Sequence, residues 1–284
     1  VFFETALLAP DAVARARRLD FLVAGSTWNA RVLEAHGLGN VRTVLQGVDP
    51  ALFHPAPRHR PMGDRFLVFS GGKLELRKGQ DLVLAAFRRF AERCPEAVLV
   101  TAWHSPWPGL ARTLDARGIA APVVFGADGR VDVPAWAAAN GVQPGRIVDL
   151  GAVPNALLPP VLREMDVAIF PNRCEGGTNL VAMECMACGV PVILSANTGH
   201  LDLIAGESCI TLERQRPMGG SAAGCGDVPG WGESDIDEIV AALERARADR
   251  ADAERRARNG SALVHRLTWD ATAAAMKALL LGRS

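Results

Sequence analysis

Short runs of β-branched and other apolar residues alternate with longer helical stretches along most of this sequence. The predicted strands are FLVAG, VRTVL, RFLVFS, AVLVTAW, IVDLGAV, DVAIF and VPVIL, at 21–25, 41–45, 65–70, 97–103, 147–153, 166–170 and 190–194. Between them lie segments of helical periodicity such as 26–37 and 81–94. This alternation predicts an α/β fold with a parallel sheet, right-handed crossovers and helices on both faces. In such sheets ligands bind at the carboxyl ends of the strands.

The segment HPAPRHRPMGD (54–64) is rich in proline and charge, and we interpret it as a linker between two α/β domains. Residues 1–54 would be the end of an incomplete N-terminal domain, and 55–267 would form a second domain. A last helix would occupy 268–284. The start, VFFETALLAP, has neither Met nor the basic region of a signal peptide, which suggests an N-terminal truncation.

The segment RPMGGSAAGCGDVPGWG (216–232) contains too much glycine for regular structure, so we expect a long loop there. Trp231 would anchor this loop. A helix should follow from 233, with Ser234 as its N-cap and acidic residues in its first turn.

Composition excludes several classes of function. Lys and Arg together number 31, as do Asp and Glu, so no net charge attracts the chain to nucleic acid or to an anionic membrane. No apolar run is long enough to span a bilayer. The six cysteines include one C-x-x-C, Cys185 and Cys188, but no second pair completes a zinc site. Buried thiols in a reducing compartment are expected, hence a cytoplasmic protein, free or peripheral to a membrane.

Glu184 stands alone among apolar and small residues in LVAMECMAC (180–188). The residues at helical spacing around it are all apolar or small, so the helix should be buried on every side. A buried carboxylate without a partner costs several kcal/mol. Glu184 therefore either meets a protein donor, such as an amide or an arginine, or accepts hydrogen bonds from a ligand.

The five residues EGGTN (175–179) connect the strand DVAIF to this helix. Gly176 and Gly177 allow the backbone to approach a ligand closely. Thr178 or Asn179 can cap the helix, whose free amides and positive dipole end suit a phosphate. Glu184 lies roughly 8 Å further along the helix, which matches the reach of hydroxyls on a phosphate-linked sugar or ribose.

A second polar loop, GGKLELRKG (71–79), follows the strand RFLVFS. Lys73 and Lys78 flank a turn that begins at Gly72, again at the carboxyl end of a strand. Two ammonium groups there can neutralise a diphosphate, although a solvated loop is the alternative. The loop is not a Walker A motif, and no G-x-G-x-x-G is present.

Together these two loops resemble the C-terminal half of a GT-B glycosyltransferase of the large retaining family 4. The family has a Gly-(Arg/Lys)…Lys-Gly loop and an E-x7-E segment that leads into EAMACG-PV. Here the corresponding text is GGKLELRKG (71–79) and EGGTNLVAMECMACGVPVI (175–193). The resemblance extends to GSTWNARVLEAHG…VLQGVDPALF (25–53), as the end of the N-terminal domain, and to the last helix, which would pack back on that domain.

The resemblance implies a role for each site residue. Lys73 and Lys78 would hold the donor diphosphate, near Gly72, and Glu175 would lie near the transferred sugar. Glu184 would accept hydrogen bonds from the ribose. The backbone of Gly177, Thr178, Asn179 and Leu180 would approach the phosphates. No metal or other cofactor is implied, and the partners would be a nucleotide sugar and an acceptor of unknown class.

The sequence departs from the family pattern in two places. Lys73 replaces the more common arginine, which exchanges a bidentate group for a point charge. Eight residues, not seven, separate Glu175 from Glu184. Besides a retaining glycosyltransferase, a sugar-nucleotide epimerase and a non-catalytic nucleotide-sugar-binding fragment or subunit stay open, because the acceptor side of the family lies in the N-terminal domain.

Three further polar residues lie near these loops. Arg173 could pair with Glu175 or with phosphate. His200, after the strand VPVIL, is expected in a surface loop, although it could contact the donor. His104, between two tryptophans, is expected to pack rather than to act chemically.

Overall fold

A computed structural model describes residues 1–219, 221–222 and 226–282 of the chain. The strands are β1 (Leu22–Ala24), β2 (Val41–Thr43), β3 (Phe66–Gly71), β4 (Ala97–Ala102), β5 (Ile147–Asp149), β6 (Val167–Phe170), β7 (Val192–Ser195), β8 (Ile210–Leu212), β9 (Gln215–Pro217), β10 (Ser221–Ala222), β11 (Gly226–Asp227) and β12 (Gly232–Ser234). The α-helices are α1 (Pro10–Ala16), α2 (Thr27–Ala35), α3 (Gln80–Arg93), α4 (Val133–Ala139), α5 (Leu158–Leu162), α6 (Leu180–Ala187), α7 (Ile236–Ala248), α8 (Arg250–Val264) and α9 (Trp269–Leu280). Each of the seven predicted strands is present, with ends trimmed by a few residues.

The main sheet has six parallel strands in the order β5-β4-β3-β6-β7-β8. The predicted doubly wound parallel sheet is therefore confirmed. The chain reverses its direction of winding between β3 and β6, which pair directly, with Val68 opposite Val167. Such a switch point leaves a crevice at the carboxyl ends of the two strands, where ligands of these folds bind.

The core has two halves, one on each face of the sheet, because successive residues of a strand point to opposite faces. In β3, Phe66 and Val68 belong to the cluster under α3 and α7, whereas Leu67 and Phe69 belong to the cluster under α6. The adjacent strands divide in the same way. This burial on both faces explains why the strands read as continuous apolar runs.

A separate apolar cluster lies in the N-terminal part of the chain, between Phe3 and Val41, where β1 and β2 pair in parallel beside α1 and α2. Ser26 caps α2 by accepting a hydrogen bond from the amide of Asn29. The start of α9 contacts the N-terminal part of the chain. The amide of Val48 donates to the carbonyl of Leu267, and the amide of Trp269 donates to the carbonyl of Val48. The predicted division at 54 and 267 stays a prediction.

The segment after β8 differs from the expected irregular loop. β9 pairs antiparallel with β12, and β10 pairs with β11, while Gly220 and 223–225, including Cys225, lie outside the described residues. Ser234 ends β12 rather than capping a helix; Asp235 is the N-cap of α7 and accepts a hydrogen bond from the amide of Glu238. Trp231 is buried and donates its indole N–H to the carbonyl of Glu4 at 2.6 Å, which confirms it as an anchor.

Cys185 and Cys188 are buried and free, as expected from the sequence. In the described part of the chain, no helix is long and apolar enough to cross a membrane.

Candidate functional site

The two polar loops predicted from the sequence meet at the switch point. One loop leaves β3 at Gly71, and the other leaves β6 at Phe170. Gly79, at the end of the first loop, has φ of +71°, and a Cβ there would lie 2.4 Å from the carbonyl oxygen of Pro171 in the second. A side chain at position 79 would therefore force the loops apart, and its absence lets Lys78 reach across the crevice.

Lys78 and Glu175 form an ion pair across the crevice. The Lys78 Nζ lies 2.5 Å from one carboxylate oxygen of Glu175, and Asn172 donates to the same oxygen. Only 11% of the Lys78 side chain and 6% of the Glu175 side chain are exposed. Burial alone would raise the pKa of Glu175, but the charges of Lys78 and of Arg77 outweigh it and lower that pKa to about 2.

Arg77 completes this cluster and was not singled out in the sequence. Its guanidinium donates to the second oxygen of Glu175 at 3.0 Å, to the carbonyl of Cys174 at 3.1 Å and to Glu75 at 2.6 Å. The segment ELRK (75–78) could have indicated this role, because an acidic residue and a second basic residue lie beside Lys78 in one turn. Glu175 therefore has two cationic partners, Lys78 and Arg77, so its carboxylate keeps one of them when the other moves.

Asn179 rather than Thr178 caps helix α6. The side-chain oxygen of Asn179 accepts a hydrogen bond from the amide of Ala182 at 3.4 Å, and its φ is +66°. Thr178 is buried and bonds the sulfur of Met183 instead. The helix begins at Leu180, so its first amides face the crevice end of β6.

Glu184 is the other acid of the predicted site. It is partly exposed, as are Leu180 and Val181, so one face of α6 opens and the helix is not buried on every side as expected. Asn155 donates to Glu184 at 2.8 Å, and no arginine or lysine pairs with it among the described residues. Burial raises the pKa of Glu184, and the Asn155 hydrogen bond opposes this only in part.

Lys73 does not join the Lys78–Glu175 cluster. Its Nζ lies 5.2 Å from the ring centroid of Trp107, a cation–π distance, and the side chain is half-buried. Gly72 precedes it with φ of +125°, and its amide bonds the carbonyl of Ala102. Lys73 therefore lies on the β4 side of the switch point and Lys78 on the β6 side.

Arg173 does not contact Glu175. It is fully buried and forms a bidentate pair with Asp81, at 2.7 and 2.8 Å, and a further bond with Glu233 at 3.0 Å. Of the two pairings considered from the sequence, with Glu175 and with phosphate, the first is wrong. The second has no free donor to support it, because Arg173 also bonds the carbonyl of Leu76.

Each of the two histidines lies in the environment that was expected for the other. His200 is fully buried beside the site rather than in a surface loop, with Nε2 3.0 Å from the side-chain nitrogen of Asn179. His104 is exposed rather than packed. Sequence spacing could not separate the two, because each follows a strand of the same sheet.

A cavity of about 320 Å³ opens beside Leu74, at the carboxyl ends of β4 and β5. Its lining includes Trp103, His104, Asp128 and Asp149. This cavity was not predicted from the sequence, since its outer wall comes from the irregular segment around the bridge between Phe125 and Val131.

Known proteins resemble this chain in sequence. A model of family 4 glycosyltransferases in conflict systems matches residues 27–276. A D-inositol 3-phosphate glycosyltransferase of Geodermatophilus obscurus is 30% identical over 271 residues, which is 86% of this chain and 56% of the relative. A GDP-mannose-dependent phosphatidylinositol monomannoside mannosyltransferase of Mycolicibacterium smegmatis is 28% identical over 167 residues, 54% of this chain and 37% of the relative. The chain thus spans about half the length, or less, of these curated relatives.

Solved structures agree on the fold. A sucrose-phosphate synthase of Thermosynechococcus elongatus superposes with a TM-score of 0.73 at 23% identity, over 100% of this chain and 65% of its own. The Anabaena protein Alr3699/HepE, in complex with UDP-glucose, superposes with a TM-score of 0.70 at 16% identity, over 96% of this chain and 66% of its own. The fold is GT-B, with a Rossmann-like sheet, as the sequence resemblance implied.

Proposed function

The chain belongs to the family 4 glycosyltransferases of conflict systems, and from this premise we propose that its switch-point crevice binds a nucleotide-sugar donor. In the complete enzyme the sugar would pass to an acceptor with retention of the anomeric configuration. The relatives named as glycosyltransferases, and the UDP-glucose complex of the Anabaena protein, support this proposal. The class of acceptor is left open.

The observation that carries the proposal is the position of Lys78. Its ammonium group lies at the crevice, beside the start of α6, and has Glu175 as its partner at 2.5 Å. A diphosphate brought to the helix start would meet the free amides of the first turn and the positive end of the helix dipole. Lys78 can then exchange a carboxylate oxygen for a phosphate oxygen, while Arg77 keeps Glu175 neutralised.

This arrangement suits the chemistry of glycosyl transfer. As the bond to the sugar breaks, negative charge grows on the departing nucleoside diphosphate. A fixed ammonium group and oriented amides stabilise that charge without reorganisation during the reaction. Lys73, on the β4 side of the crevice, would add a second cation. Glu175, once released from Lys78, would lie beside the transferred sugar.

Glu184 suits the ribose of the donor. Its carboxylate is half-buried, carries one neutral amide donor and has lone pairs left for further hydrogen bonds. Ribose hydroxyls are donors of the required kind, and bonds to a charged acceptor are among the strong ones. The cavity beside Leu74, at the carboxyl ends of β4 and β5, would then receive the base.

Donor binding can be tested by thermal unfolding with UDP-glucose, GDP-mannose and ADP-glucose, each with and without EDTA. At a hundred times its dissociation constant, a bound donor stabilises the fold by about 2.7 kcal/mol. We propose that binding needs no metal, so EDTA should leave the shift unchanged. Lys78→Ala should weaken binding about ten- to 150-fold, the loss of one charge-assisted hydrogen bond of ~1.5–3 kcal/mol.

The matched control is Lys277→Ala, because Lys277 is exposed on α9. If no sugar nucleotide shifts the unfolding of the parent, or if both lysine variants respond like the parent, the proposed site is wrong. Conversion of the donor without any acceptor would favour an epimerase. Binding without turnover, even when candidate acceptors are supplied, would favour a non-catalytic binding subunit.

A further inference from the structure

The turn that follows β7 holds the loop that carries Glu175. Thr198 Oγ1 accepts a hydrogen bond from the amide of Glu175 at 2.7 Å, and the amide of Gly199 donates to the carbonyl of Glu175 at 3.0 Å. Thr198 in turn donates to the side chain of Asn197 at 3.0 Å. Both backbone groups of Glu175 are therefore fixed by residues of this turn.

Gly199 lets the turn approach the loop closely. A Cβ at this position would lie 1.7 Å from the carbonyl oxygen of Gly177 and 2.8 Å from that of Glu175. Any other residue would displace the loop, because a Cβ atom essentially never lies within 3 Å of backbone atoms to which it is not bonded. The two segments are thus packed backbone against backbone.

His200, which follows Gly199 in the turn Thr198–Leu203, bonds the cap of α6. Its Nε2 lies 3.0 Å from Asn179 Nδ2, and its Nδ1 lies 3.3 Å from the carbonyl oxygen of Ser195. The orientation of the Asn179 amide is fixed, since its oxygen accepts from the amide of Ala182. An amide nitrogen only donates and a carbonyl only accepts, so one ring state satisfies both contacts: neutral imidazole with its proton on Nδ1.

The surroundings favour this neutral state. His200 is fully buried, and burial lowers its pKa to about 4. The charged groups that face it are Glu175, which favours protonation, and Lys78 and Arg77, which oppose it. A charged ring would also place an N–H against the N–H of Asn179, which has no acceptor to offer there.

The bond has a conformational consequence for α6. Asn179 has a left-handed backbone, which is unfavourable for a residue with a side chain. Its side chain is held at both ends, by Ala182 and by His200. Without His200 the Asn179 nitrogen would be a buried, unpaired donor, and the residue could relax out of the left-handed region. The first amides of α6 would move with it.

We propose that His200 is a positioning residue for donor binding: as the neutral Nδ1–H tautomer it holds Asn179, and with Thr198 it sets the loop 175–179 against the start of α6. The inference rests on the proposed function, because it assigns a purpose to the geometry of that same site. His200 itself need not touch the donor.

The test compares His200→Leu with His200→Gln. Glutamine can accept from Asn179 and donate to Ser195, whereas leucine fills the space without either bond. Dissociation constants for UDP-glucose, GDP-mannose and ADP-glucose are measured by calorimetry. We expect His200→Leu to weaken binding about tenfold or more, as the loss of a buried hydrogen bond would, and His200→Gln to stay within about threefold of the parent. The control is His265→Leu, since His265 bonds Ser261 of its own helix.

A second measurement needs no donor. Nitrogen NMR of the parent reports the ring state of His200 directly, and we expect a proton on Nδ1 and a hydrogen-bonded, unprotonated Nε2 at neutral pH. A proton on Nε2 would overturn the inference, even if His200→Leu fails to fold. Equal donor affinity in folded His200→Leu and the parent would overturn it as well. A parent that binds none of the three donors would instead count against the proposed function.

Discussion

Arg173 and Glu175 are two residues apart, yet they belong to ion clusters of different kinds. Arg173 is directed into the protein, where Asp81 and Glu233 are also buried and where its donors on all three nitrogens are used. Glu175 is directed to the crevice, where Lys78 can exchange its partner. In both clusters burial opposes the charged state and opposite charges favour it; the charges prevail for Arg173 and Glu175, whereas burial lowers the pKa of Lys78 despite Glu175.

The difference between the clusters lies in what each could do when a ligand arrives. A guanidinium with every donor bonded has nothing to offer a phosphate, so the Arg173 cluster can only hold the fold. It joins α3, the loop after β6 and β12 at one point. The Lys78–Glu175 pair lies near the start of α6, so under the proposed function we expect it to bind the phosphates of the donor. The fixed cluster supports the exchangeable one.

The largest expected effect comes from breaking the fixed cluster. Asp81→Ala leaves Arg173 buried with part of its charge unpaired, and should destabilise the fold by about 3–5 kcal/mol. Unfolding in urea measures this. The matched control is Asp237→Ala, because Asp237 and its partner Arg89 are exposed; it should cost less than about 1 kcal/mol. Equal costs for the two variants would show that the buried pair is not a support.

Acid unfolding tests the Lys78–Glu175 cluster, and the expected loss of stability is slightly smaller than that of Asp81→Ala. The pKa of Glu175 falls from its ordinary value near 4.5 to about 2 on folding. A depressed pKa means that the stabilisation is complete above pH 4.5 and is lost as the pH falls toward 2. It amounts to about 3 kcal/mol. Glu175→Gln should reduce this loss, measured by urea unfolding across the range.

Glu233 contributes a similar loss in the same range, because its pKa is also lowered to about 2: burial opposes this, and the Arg117 and Arg173 bonds outweigh it. The variant Glu175→Gln should therefore keep part of the acid sensitivity. If its stability falls with pH as steeply as that of the parent, Glu175 is not ionised in the cluster as the geometry indicates.

The sequence was sufficient for the two loops and for five of the six strands of the main sheet; β8 was not predicted. Continuous apolar runs between helical segments define strands buried on both faces, and the ends of β3 and β6 follow from them. The pairing of these two strands is a consequence of the winding, which places Lys78 opposite Glu175. The fold and the meeting of the loops were therefore predictable, because both depend on local pattern and on one general rule of topology.

Which side chains pair with one another in and around the site could not be predicted from the sequence. Arg173 is two residues from Glu175 and Arg77 is 98 residues away, yet Arg77 bonds the carboxylate and Arg173 pairs with Asp81 and Glu233. His200 was expected in a surface loop, whereas it is buried beside Asn179, which lies 21 positions earlier in the chain. Ser234 lost the cap to Asp235 because β12 pairs with β9 and extends to that serine. Each of these outcomes depends on non-local contacts.

The smallest expected change in stability is that of Glu184→Gln. The sign of this change distinguishes a residue that binds the ligand from one that stabilises the fold. Burial raises the pKa of Glu184, so the ionised side chain lowers the free energy of unfolding at pH values above that pKa. This loss of stability disappears as the pH falls through the pKa. Glu184→Gln removes the charge and should stabilise the free protein at neutral pH, by less than about 1 kcal/mol.

The same substitution should weaken donor binding about tenfold or more, through the loss of a charged acceptor for the ribose. Thermal unfolding with and without UDP-glucose or GDP-mannose measures both effects in one experiment. Glu34→Gln, on the exposed face of α2, is the control and should change neither. A supporting residue such as Asp81 lowers stability when it is replaced, whereas a residue kept for a ligand raises it. A loss of stability in Glu184→Gln would place Glu184 with the supporting residues, and the donor site would then have to be sought without it.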